Sequence, residues 1–205
     1  MLSKGLSKSE WRVYFKKQTD LFLSSKNKDE VVSKWISSLV TFFKDKKGIW
    51  GIFSPLQGEP PVDQFLDSQN INLDFQNTKL DQSLKTQKNI LNVVYPKIDD
   101  QEIHFFKAEK FELHPWGIKE PKEGELVDSE KIQGILVPGL GFNHKGQRLG
   151  KGKGFYDRYL KNYKGIKVGA CFEFQYTNED FPVDAWDICM DSVLTENGLK
   201  IIREG

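Results

Sequence analysis

Among its 205 residues the chain has only two cysteines, Cys171 and Cys189, and three histidines. Two thiols cannot build a disulfide framework, and neither lies in a CxxC pair, so zinc-ribbon and dithiol chemistry are excluded. Both thiols read as small apolar residues in a reducing cytosol. His104, His114 and His144 are scattered without metal-ligand spacing, which argues against a zinc or histidine-based centre. An excess of one charge is missing too. Thirty basic side chains face twenty-nine acidic ones, a net charge of +1, so the overall balance asks for no nucleic-acid partner and any cationic site is local. Long apolar runs are absent: the N-terminal MLSKGLSKSEWR has no signal-peptide core, and no window is long enough to span a bilayer. The expectation is a soluble, cytoplasmic protein with no membrane partner, one domain over residues 1–205, taken as a monomer.

What is present centres on Gly134 to Leu160, GILVPGLGFNHKGQRLGKGKGFYDRYL. An apolar strand (Ile135, Leu136, Val137) runs into a glycine-rich, cationic loop and then a segment with helical spacing (Tyr156, Tyr159, Leu160). Gly150, Gly152 and Gly154 remove side chains that would keep backbone N–H groups from an anion, and Arg148, Lys151 and Lys153 add charge. Asp157 follows as a hard oxygen ligand where magnesium bridging phosphates would sit. The loop is not a Walker A motif, because no Ser or Thr follows Lys153, and its alternate glycines are not a dinucleotide fingerprint. The residues alone point to a nucleotide phosphate with magnesium on Asp157 and Asp187, against the plainer alternative of a flexible basic surface loop.

The rest of the chain reads as alternating helices and strands. Ser7 to about Leu23 is an amphipathic helix behind a capping serine, with Lys8 and Arg12 four apart on one face. Glu30 to about Lys46 forms a second helix with a broad apolar stripe and lysines at its C-terminal end. Gly48 to Phe53 reads as a buried strand, followed by SPLQGE, whose Glu59 falls in the loop at its C-terminal end, and by a helix from Val62 to about Ser68. Asn70 to Asn89 is polar and reads as a strand end, a short helix or an ordered excursion. Ile90 to Tyr95 is a strand closed by Pro96, Glu102 to Ala108 a third strand antiparallel to it, and Phe111 to Pro121 a loop. In that loop Trp116 is either a stacking surface for a flat heterocycle or an anchor on the core. Lys167 to Gln175 is a strand, Phe181 to Ala185 a turn, and Ser192 to Thr195 a last short strand before Ile201 and Ile202. The fold expected is α/β, a three-layer sandwich around a mostly parallel, open, Rossmann-like sheet.

PGLGFNHKGQRLGKGKGFYDRYL closely resembles the signature of the 5-formyltetrahydrofolate cyclo-ligase (methenyltetrahydrofolate synthetase) family. Lys8 with Arg12, SPLQGE, PWGIKEP and WDICMDSVLT resemble that family's other blocks, in its order. The resemblance implies an ATP- and magnesium-dependent closure of 5-formyltetrahydrofolate to 5,10-methenyltetrahydrofolate through a phosphorylated formyl group. It implies ATP contacts from Lys8, Arg12, Arg148, Leu149, Gly150, Lys151, Gly152, Lys153, Gly154, Phe155 and Tyr156, with Arg148, Lys153 and Tyr156 catalytic. Magnesium would be held by Asp157 and Asp187. The folate would meet Ser54, Glu59 and Trp116, and Lys151, Gly152, Lys153, Gly154 and Phe155 would lie between the two substrates.

The sequence departs from the family pattern at Phe155, where many members have tyrosine, and at Asn143, where aspartate is common. Two other functions remain to be separated from this one: a nucleic-acid module using Arg148, Lys151, Lys153 and Arg158, and a relative that binds folate or nucleotide without turnover. The charge balance and the acids Asp157, Asp187 and Asp191 oppose the first.

Overall fold

The computed structural model describes residues 5–64, 92–100, 102–114 and 117–202. Helix α1 (Lys8–Leu23) opens on a capping box, in which Ser7 and Glu10 satisfy each other's backbone N–H groups. Its Trp11 and Phe15 are buried against Phe181, Leu149 and Leu140. Helix α2 (Lys28–Phe43) buries Trp35, Leu39 and Phe43, four residues apart, and the indole N–H of Trp35 donates to the Cys171 carbonyl at 3.0 Å. It ends earlier than the sequence suggests: the lysines expected in its last turn lie at and beyond its cap.

The strands are β1 (Ile49–Gly51), β2 (Asn92–Asp99), β3 (Glu102–Leu113), β4 (Lys119–Val127), β5 (Ile132–Pro138), β6 (Gly141–Asn143), β7 (Arg148–Leu149), β8 (Ile166–Ala170), β9 (Tyr176–Thr177), β10 (Ser192–Thr195) and β11 (Gly198–Ile201). Eight of them form one sheet in the order β11-β10-β8-β5-β1-β2-β3-β4. The five central strands, β10 to β2 in that order, run parallel; β11 and β3 join their two ends antiparallel, and β4 pairs antiparallel with β3 at the outer edge. β5 is buried on both faces, as a central parallel strand must be. Leu136 points to the face covered by α2, with Trp50, Val168 and Leu194. Ile135 and Val137 point to the other, with Phe105 and Leu160 of helix α3 (Phe155–Leu160). Two cores on opposite faces of one sheet are the three-layer α/β arrangement expected.

Several boundaries differ from those expected. Pro96 does not close β2 but sits inside it, because β1 ends opposite Val94 and leaves the proline nitrogen without a strand to donate to. The segment from Phe111 to Pro121 is not a loop throughout. It holds the end of β3 and the start of β4, with Phe111 paired to Pro121 on the outermost strand, where a missing amide donor is tolerated. The strand expected to reach Gln175 stops at Ala170, since Gln175 Oε1 accepts the Phe172 N–H at 2.9 Å and closes a single turn of 3-10 helix. The polar stretch 70–89 and most of the helix expected from Val62 lie outside the described residues.

β6, β7 and β9 form a small second sheet beside the first, which carries the loop after β5. Its anchor is Asn143, fully buried. Asn143 Nδ2 donates to Gln147 Oε1 at 2.6 Å and to the Glu179 carbonyl at 3.1 Å, and Oδ1 accepts the N–H groups of Lys145 and Gln147. An aspartate there would turn a carboxylate toward two acceptors. Asn143→Asp should lower stability by about 2–3 kcal/mol at neutral pH, with a deficit that narrows as pH falls and the carboxyl protonates. Urea denaturation of both proteins tests this, and equal midpoints at neutral pH would show that the amide donors are dispensable.

Candidate active site

In sheet order β5 and β2 lie on either side of β1, although the chain runs from β1 to β2 first and returns for β5 much later. Ligands in open α/β sheets collect at such a reversal, beyond the C-terminal strand ends. A cavity of about 290 Å³ opens there. The segment after β1 supplies Phe53, Ser54, Leu56 and Glu59, β2 and β3 supply Pro96, Ile98 and Ile103, and the last residue of β5 with the segment after it supplies Pro138, Gly139, Arg148 and residues 150–157. One wall is therefore aliphatic and the opposite wall is the cationic loop.

Arg148 organises that loop. Its Nη2 donates to both oxygens of Asp157, at 2.8 and 2.9 Å, and Nη1 donates to the Pro138 carbonyl at 3.2 Å. The guanidinium carbon lies 5.6 Å from the centre of the Tyr156 ring. Nε is buried with no acceptor among the described residues, a cost that an anionic or carbonyl-bearing ligand would relieve. Burial pushes the Tyr156 hydroxyl well above the usual tyrosine range, reinforced by the charge of Glu59, so it stays protonated as a donor.

The backbone after Arg148 adopts its path because Gly152 (φ 93°) and Gly154 (φ 69°) take left-handed conformations that side-chain-bearing residues avoid. α3 has only six residues, so its dipole is small, and the anion-binding capacity rests on the loop's own N–H groups and cations. The loop is tied on both sides. Arg12 Nε donates to the Gly150 carbonyl at 3.0 Å, and Lys151 Nζ meets Glu59 Oε1 at 2.6 Å. Glu59 Oε2 accepts the Leu56 N–H at 2.9 Å. Lys153 is exposed on the cavity rim, and its carbonyl accepts from Arg158 Nη1 at 3.1 Å. Phe155 lines the cavity under the Arg158 guanidinium, 5.2 Å away.

The expected residues are thus brought together unevenly. Ser54, Glu59, Arg148, Asp157 and residues 150–156 share the cavity, and Arg12 touches its loop from outside. Ser54 Oγ donates to the Lys119 carbonyl. Lys8 and Asp187 do not line the cavity but pair with each other: Lys8 Nζ lies 2.5 Å from Asp187 Oδ2 and 2.6 Å from Asp184 Oδ2. Burial disfavours the Lys8 ammonium, yet hydrogen bonds and charge from Asp184 and Asp187 more than offset it and raise its pKa. Trp116 lies outside the described residues. Two acids were missed from the sequence: Asp184, hidden in a stretch read as a turn, and Glu120, hidden in a stretch read as a loop.

The Arg148–Asp157 pair is the site's internal support, with side-chain exposures of 6% and 17%. Removing the charge of one partner leaves the other buried and unmatched, so Asp157→Asn should cost about 3 kcal/mol of stability in urea denaturation. A loss well under 1 kcal/mol would place the pair among surface ion pairs.

Residues 70–196 match the 5-formyltetrahydrofolate cyclo-ligase family. The 5-formyltetrahydrofolate cyclo-ligase of Mycoplasma pneumoniae is 30% identical over 185 residues, 87% of this chain and 93% of that protein. A Schizosaccharomyces pombe relative is 35% identical over 114 residues, and the chain spans only 55% of its length in that match. Among solved structures, the Aquifex aeolicus 5,10-methenyltetrahydrofolate synthetase superimposes with a TM-score of 0.72 at 33% identity, covering 97% of this chain and 94% of that one. A 5,10-methenyltetrahydrofolate synthetase from Mycoplasma pneumoniae gives 0.67 at 28% identity, covering 92% and 98%. The shared fold, the loop at the sheet reversal and these matches lead to one assignment: the chain belongs to the 5-formyltetrahydrofolate cyclo-ligase family.

Proposed function

We propose that the protein converts 5-formyltetrahydrofolate and ATP to 5,10-methenyltetrahydrofolate, ADP and phosphate. The observation that carries this reading is the cavity's two-sidedness. A glycine-rich cationic loop faces an aliphatic wall bearing carboxylates, and Lys151–Glu59 links the two sides. One side suits phosphates and the other a heterocycle with N–H donors.

The formyl oxygen attacks the γ-phosphorus of ATP and ADP leaves. N10 then adds to the activated formyl carbon and loses its proton, and phosphate departs with the former formyl oxygen. An amide oxygen leaves poorly until phosphorylated, so the protein's task is to align two substrates and neutralise charge on the moving phosphoryl group. Lys8, Arg12, Arg148, Lys153 and the loop N–H groups from Leu149 to Tyr156 hold ATP. Arg148 and Lys153 stabilise the phosphoryl charge, and the protonated Tyr156 hydroxyl donates to an oxygen near the reacting centre. Ser54, Glu59 and Trp116 hold the folate, with Lys151 to Phe155 between the substrates. No side-chain nucleophile is needed.

Among the described residues no three His, Cys, Asp or Glu side chains cluster as a metal cage. Magnesium on a nucleotide needs only one or two carboxylates, the rest of its shell being phosphate and water, and Asp157 and Asp187 would supply them by sharing or releasing the cations Arg148 and Lys8 that they now pair with. When bound, the ion would neutralise phosphate charge and favour in-line geometry.

Mixing the protein with 5-formyltetrahydrofolate and MgATP should generate the ultraviolet absorbance of the methenyl product. Folate binding without product would leave a non-catalytic relative instead. Lys153→Ala should lower kcat about a hundredfold or more, and an unchanged rate would reduce the lysine to a surface charge. Asp157→Asn should raise the magnesium concentration needed for half-maximal rate, and an unaltered magnesium dependence would overturn the metal assignment.

A further inference from the structure

The cavity contains one charged side chain that the chemistry above does not use. Glu120, the second residue of β4, is only 5% exposed and lines the cavity with Ser54, Glu59 and Ile98. The β3–β4 hairpin curls back so that Glu120 Oε1 accepts the Ile98 N–H, at a long 3.3 Å. Among the described residues no donor reaches Oε2 and no cation pairs with the carboxylate. Its Oε2 is not sealed in the protein interior, so this acceptor stays open to a donor that enters the cavity.

Its neighbours hold it in place. The Lys119 carbonyl accepts from Ser54 Oγ, and the Pro121 carbonyl accepts from Lys97 Nζ at 3.0 Å. With the backbone fastened on both sides, Glu120 cannot turn out to water without breaking these contacts. Glu59 is the contrast in the same cavity. Both of its oxygens are engaged, by Lys151 and by the Leu56 N–H, so it meets a new donor only by sharing or releasing one.

We propose that Glu120 is a substrate-binding residue whose Oε2 accepts a hydrogen bond from an N–H group of the folate heterocycle, on its 2-aminopyrimidinone edge. This assignment rests on the folate reading given above. A carboxylate is an acceptor only: it rewards a ligand N–H and repels phosphate or carbonyl oxygens. The surrounding wall, with Ile98, Ile103 and Ile118, suits a flat ring and not a phosphate chain. A site built around a buried acceptor rejects analogues lacking the matching donor, so Glu120 also sets specificity for the amino-bearing ring.

The test is equilibrium binding without turnover. 5-Formyltetrahydrofolate, an analogue with hydrogen in place of the 2-amino group, and ATP are each titrated against wild type and Glu120→Gln. E120Q should weaken folate binding about 10- to 100-fold, leave ATP affinity unchanged, and lose the preference for folate over the analogue that wild type shows. Three results would overturn the assignment alone: equal folate affinity in both proteins, a loss confined to ATP, or undiminished discrimination in E120Q. Should E120Q fail to fold, the same comparison in Glu59→Gln decides. Discrimination retained in E59Q supports Glu120, and its disappearance there assigns the ring edge to Glu59 and overturns the proposal. Failure of wild type to bind the folate at all would overturn the folate reading and this assignment with it.

Discussion

The structure of the site depends on how one buried guanidinium is satisfied. Arg148 joins the end of β5, through the Pro138 carbonyl, to α3, through Asp157, and packs against Tyr156. Strand end, loop and helix therefore share a single fixed point. Ion pairs out of water are weak stabilisers but demanding ones, because any geometry that separates the partners leaves a charge stranded. The intervening glycine loop, exposed at Lys151, Gly152 and Lys153, inherits its position from that demand. Arg12 on Gly150 and Glu59 on Lys151 then limit its swing from opposite sides.

Much of this was legible in the sequence because the controlling signals are local. Apolar Ile135 to Val137 followed by alternate glycines and cations reads as strand then anion loop whatever surrounds it. Trp11 and Phe15, or Trp35, Leu39 and Phe43, mark helices by spacing alone. Pattern reading fell short where tertiary context overrules local preference. Pro96 sits within a strand because β1 is too short to need its donor, and Pro121 does so because β4 is an edge. Gln175 ended a strand early through a side-chain hydrogen bond that no periodicity reports.

The same distinction runs through the site. Arg148, Lys151, Lys153 and Asp157 fall within one short stretch, so their proximity needed no fold. Glu120 and Asp184 acquire meaning only from partners distant in the chain: Ile98 for the first, Lys8 for the second. Asn143 shows the complementary case, a departure from the family pattern that the structure explains. Its two amide donors meet Gln147 and Glu179, so the amide is matched to its neighbours here.

Chemically, the cavity sets the cations Arg148, Lys151 and Lys153 on one side and the carboxylates Glu59 and Glu120 on the other. In the reaction proposed for this site, the formyl oxygen itself takes the phosphoryl group. Turnover of 5-formyltetrahydrofolate carrying heavy oxygen in the formyl group tests this most directly. If the formyl oxygen is phosphorylated, the heavy oxygen appears in the released inorganic phosphate; its recovery in water with unlabelled phosphate would contradict that step.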